Sequence, residues 1–107
     1  MNRIDELKKL LLNDPNDSFL KYAISIELYK LNYKKGALNN LKQLLEEDPN
    51  YLATYYQLGI WLKELNEVEE CRLIINKGIA IAQQQKNHKT LRELKEVINQ
   101  IDFEDEQ

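Results

Sequence analysis

Cysteine occurs once, at Cys71, and histidine once, at His88. No internal disulfide can form and the paired ligand spacing of a zinc site is missing, so no metal or cofactor is expected, and a reducing, cytoplasmic setting is the default. Two prolines and three glycines, against 31% charged and 43% apolar residues, exclude collagen-like and disordered classes. No apolar run reaches membrane-spanning length. The opening Met1-Asn2-Arg3-Ile4-Asp5-Glu6 carries acids where a signal peptide needs an apolar stretch, so neither secretion nor a membrane partner is expected. A basic excess is lacking as well. The net charge is −3, with 8 basic and 8 acidic side chains over residues 1–53 and 7 and 10 over 54–107, which argues against a nucleic-acid partner. Catalysis also lacks its materials: there are no paired histidines or glycine loops, and Cys71 has no base near it in sequence.

What is present is an apolar pattern at helical spacing in 107 residues, enough for one domain with a real core. Asp14-Pro15-Asn16 returns 34 residues later as Asp48-Pro49-Asn50, each time after an apolar run. Proline and the residue before it end a helix, so a helix-ending unit has been copied. The spacing predicts helices over 3–13 (Ile4, Leu7, Leu10, Leu11), 18–31, 34–47 (Leu38, Leu41, Leu44, Leu45) and 52–65. A fifth, with Ile75, Ile79 and Ala82, runs to about Gln85 and a last carries Leu91, Leu94, Ile98 and Ile101. Asn16, Asp17 or Ser18 can cap the second helix, Asn66 with Glu69 the fifth, and Asn87 or Thr90 the last. The acidic stretch 102–107 is expected to fray.

The second helix is apolar on two sides. With Tyr22 at zero and about 100° per residue, Leu20, Ile24, Leu28 and Leu31 fall between about 160° and 240°, and Phe19, Tyr22, Ile26 and Tyr29 between about −20° and 60°. The fourth helix repeats this, with Leu58, Leu62 and Leu65 on one side, Ala53, Tyr56 and Ile60 on the other, and Trp61 beside the core stripe. A surface helix needs one apolar stripe, so the second must face another packing layer, a ligand or another chain.

A shift of 34 matches Leu7 with Leu41 and Ile75, Tyr22 with Tyr56, Ile24 with Leu58, Ile26 with Ile60, Leu28 with Leu62 and Asn32 with Asn66. Helix pairs of this length ending in Asp-Pro resemble the tetratricopeptide repeat, whose pattern runs aromatic, Leu-Gly, large, small, apolar, Pro. Tyr55, Leu58-Gly59, Leu62, Cys71 and Ile75 take those places in the second unit, with Gln83 for the proline. Lys21, Ile24-Ser25, Leu28, Ala37, Leu41 and Pro49 take them in the first. Lys21 in the aromatic place and Leu44 in place of a usual Ala depart from the pattern.

The resemblance implies an all-α fold, a right-handed α-α superhelix of about six helices forming one domain over 1–107. Within it, 1–15 is a half-repeat, 18–51 and 52–85 are repeats, and 87–101 is a capping helix before the tail at 102–107. It also implies a concave groove that holds a peptide or helix of a partner protein. The residues placed there are Phe19, Tyr22, Ile26, Tyr29, Tyr56 and Ile60, with Lys30, Lys63 and Glu64 as rim. Some relatives clamp acidic chaperone tails with Lys, Asn and Arg, but the matching places here are Tyr22, Ile26, Tyr56 and Ile60, which favours an apolar ligand. Two alternatives use the same stripe: burial in a homodimer, or closure of the end helices over it as core. An enzyme is a distant third reading.

Overall fold

The computed structural model describes residues 2–107. It contains α1 (Arg3–Asn13), α2 (Ser18–Lys30), α3 (Lys34–Glu47), α4 (Ala53–Glu64), α5 (Val68–Gln85) and α6 (His88–Asp105), with no strand among the described residues. The helices form two compact units that divide between Tyr51 and Leu52.

In the N-terminal unit, α2 packs against both α1 and α3. Leu7 of α1 meets Leu20 and Ile24 of α2 in a buried cluster flanked by Leu11, Ala23 and Leu28, and α3 buries Ala37, Leu38, Leu41 and Leu44. Two of this unit's helix starts follow capping chemistry: Asn2 accepts the Asp5 N–H at 2.8 Å and Asp17 that of Leu20 at 2.9 Å, whereas α3 starts without a side-chain cap. In the C-terminal unit, α5 packs against α4 and α6. Leu58, Trp61, Leu62, Ile75, Leu94, Val97 and Ile101 are buried there. The small places of the repeat, Ser25, Ala37, Gly59 and Cys71, are all buried, as close approach of paired helices demands.

The copied tripeptide folds as a copied turn. The Asp17 N–H donates to the Asp14 carbonyl at 3.1 Å, and 34 residues on the Tyr51 N–H donates to the Asp48 carbonyl at 3.1 Å. The side chains then diverge. Asp17 caps α2, whereas Tyr51 cannot cap and α4 starts without a side-chain cap. Asp48 instead accepts the Ser18 hydroxyl at 2.6 Å, tying the end of α3 to the start of α2.

Four expectations are corrected. Asn66 does not cap α5: it stands at φ 64°, as its counterpart Asn32 does at 70°, and closes the preceding helix. The Asn66 N–H donates to the Lys63 carbonyl and the Glu67 N–H to that of Leu62, a left-handed ending that asparagine tolerates. Leu31 and Leu65 are exposed because they are C-cap residues whose backbone has left the helix, so the wheel no longer places them. Leu10 is exposed because α1 packs mainly on α2 within its unit and buries a narrow stripe on Ile4 and Leu7. The acidic end is helical through Asp105, since Arg72 of α5 holds Asp102 at 2.8 Å and Asp105 at 3.2 Å.

Candidate interaction surfaces

On α2 the second stripe lies outside the core. Phe19 is 57% exposed, Tyr22, Ile26 and Tyr29 are half-buried and Lys30 is exposed, while Leu20 and Ile24 on the other side are buried. Phe19, Tyr22, Ile26 and Lys30 line a shallow depression of about 220 Å³ with Arg3, Ala23 and Glu27. Glu27 pairs with Arg3 at 3.6 Å and Lys30 at 3.3 Å, which orders the rim. Tyr29 lies outside that lining, with the Lys34 ammonium 5.4 Å from its ring centre.

Tyr51, absent from the expected set, joins this surface. Its ring stands edge-on to Tyr22, with centroids 6.0 Å apart and planes at 66°. Burial pushes the Tyr22 phenol above its usual range. The Tyr51 phenol is raised by burial first, then by Tyr22, Asp17 and Asp48. A raised phenol binds its proton more tightly folded than unfolded, so this stability is full below about pH 10 and is lost as pH rises through the folded values. In an ultraviolet pH titration, Tyr22 and Tyr51 are expected to ionise later than a free tyrosine. Tyr22→Phe should remove one late component and bring Tyr51 earlier, because the Tyr22 phenolate no longer opposes it; an unchanged titration contradicts the pairing.

On α4, Tyr56 (39% exposed), Ile60 and Lys63, the last two half-buried, follow at helical spacing on one face. Lys63 also lines a depression of about 560 Å³ with Glu96, Asn99, Gln100, Phe103 and Glu104 of α6, whereas Tyr56 and Ile60 are not in that lining. Sequence reasoning placed no site on α6. The spacing of Glu96, Gln100 and Phe103 along one helical face was available, but only Phe103 is apolar, so no hydrophobic stripe marked it.

The remaining candidates fall outside these surfaces. Trp61 is buried, and Cys71 is fully buried with its thiol pushed up by burial, partly offset by Lys63 and Arg72. Asn87 caps α6 by accepting the Thr90 N–H at 3.1 Å, which leaves His88 exposed at the helix start. Among the described residues no helix is long and apolar enough to cross a membrane, and no group of three His, Cys, Asp or Glu is placed to hold a metal ion.

The profile of the tetratricopeptide repeat family, whose repeats generally mediate protein–protein interaction, matches residues 35–94. A tetratricopeptide repeat domain protein from Salinibacter ruber is similar: its crystal structure has 30% identity and a TM-score of 0.75, covering 80% of this chain and 96% of that one. Its solution structure has 31% identity and a TM-score of 0.78, covering 81% and 88%. The TPR2B domain of yeast Sti1, in a complex with pHsp70, has a TM-score of 0.82 over 94% of this chain and 81% of that one, and at 15% identity it speaks to the fold alone. No curated protein matches the chain. Repeat period, six-helix all-α fold, profile and relatives agree: this chain belongs to the tetratricopeptide repeat family.

Proposed function

We propose that the protein is an interaction module that holds a peptide or helix of a partner protein on the second apolar faces of α2 and α4, with Tyr22 and Tyr56 as anchors. Residues 1–107 work as one domain, and the work is passive recognition in the cytoplasm, without catalysis. The observation that carries this reading is the exposure of Phe19 and Tyr56 on helices whose other faces already fill the core. Covering one such aromatic side chain contributes about 1.5–3 kcal/mol, and tyrosine keeps a hydroxyl for a hydrogen bond. Tyr22, Ile26, Tyr56 and Ile60 bear no cation, which supports an apolar segment over a carboxylate terminus. The yeast Sti1 domain, alike in fold, was solved in complex with pHsp70, which supports a protein ligand.

Light scattering over a range of concentrations, with wild type and Ile60→Glu, tests the reading. A monomer whose variant stays folded and loses a captured partner is the expected result. A dimer that the variant turns into a folded monomer would instead give the stripe to self-assembly, and outright unfolding would make it core.

A further inference from the structure

The depression between α4 and α6 holds charge that an apolar ligand does not use. Phe103 is 64% exposed and lies nearly opposite the buried Leu94, Val97 and Ile101 around α6, so folding does not explain it. It shares its face with Glu96, Asn99, Gln100 and Glu104. Lys63 is the cation of this lining, and its ammonium lies 3.2 Å from the Glu104 carboxylate. Two carboxylates against one ammonium leave a net −1. The depression on the N-terminal unit has the opposite sign, with Arg3 and Lys30 against Glu27.

We propose that the α4–α6 face docks an arginine-bearing segment of a partner protein. A guanidinium is planar, weakly hydrated and forked, so one group can stack on the Phe103 ring while donating to Glu96 or Glu104; an ammonium does less of both. The side-chain amides of Asn99 and Gln100 both donate and accept, and so can pair with the segment's backbone. Apolar residues of the same segment meet Tyr56 and Ile60 on α4, so this inference rests on the interaction-module reading and adds a charge to its ligand.

A random peptide library displayed on phage, selected at low salt against wild type, Phe103→Ala and the double variant Glu96→Lys with Glu104→Lys, tests it. Circular dichroism confirms that each variant is folded. Peptides selected by wild type should be enriched in arginine near an apolar residue, and both variants should lose that enrichment. A synthetic selected peptide should bind about tenfold or more tightly than its Arg→Glu counterpart, the scale of one charge-assisted contact. No enrichment, enrichment in acids, or arginine enrichment that persists in the double variant overturns the proposal. If peptides are enriched without arginine and lost on Ile60→Glu, the stripe stands as a binding surface and the arginine site falls. If arginine peptides survive Ile60→Glu but are lost on Phe103→Ala, the reverse holds.

Discussion

Gly78→Leu is expected to cost about 3 kcal/mol or more and to unfold the C-terminal unit early in a urea titration. A Cβ built on Gly78 would lie 2.7 Å from the Tyr55 Cβ, 3.0 Å from its Cγ and 3.2 Å from a Leu94 methyl. The Tyr55 Cβ is fixed by its own helix, and Tyr55 and Leu94 are both buried, so neither can move aside cheaply. The same place in the N-terminal unit, 34 residues back, is Leu44, itself buried. There the place of Tyr55 is taken by Lys21, an unbranched side chain whose ammonium reaches Glu47, one turn on from Leu44, at 3.2 Å. Large aromatic with glycine in one unit thus answers slender lysine with leucine in the other. Tyr55→Ala combined with Gly78→Leu should therefore lose less than the sum of the single changes by about 1 kcal/mol or more. Additive losses would show that the two places do not share one space.

Leu41→Ala carries the second large effect, a loss of about 3 kcal/mol in urea unfolding followed by circular dichroism. Leu41 is fully buried on α3 and takes the place that Leu7 and Ile75 take on α1 and α5. Truncation removes its transfer energy and leaves a cavity that neighbours fixed in helices fill poorly. A loss under about 1 kcal/mol would mean that α3 can collapse onto the gap and that the core is looser than its burial implies.

Much of this architecture is legible in the sequence. Proline at a fixed period and leucines at helical spacing determine where helices stop and which face they bury, because both act within a few residues. The two-sided wheels of α2 and α4 were legible for the same reason. What was not legible depends on contacts between distant residues. Lys21 and Leu44 each read as a departure from the family pattern, and only their joint place opposite Tyr55 and Gly78 makes them one compensated exchange. The acidic end read as frayed because the hold of Arg72 on Asp102 and Asp105 spans 30 and 33 residues. Asn66 could by chemistry begin one helix or end another, and its positive φ decides for the ending. On the candidate surfaces, Tyr51 was missed because it belongs to a turn, and Phe103 because its neighbours on α6 are polar.

The claim beneath these results is that α2 and α4 each carry one face for folding and one to spare. Urea unfolding of the double variant Phe19→Ser with Tyr56→Ser, beside Leu41→Ala, tests it most directly. The double variant should lose under about 1 kcal/mol, as surface substitutions do, while Leu41→Ala loses about 3. If the serines cost as much as the alanine, the second faces belong to the core and the protein has no surface to spare on these helices.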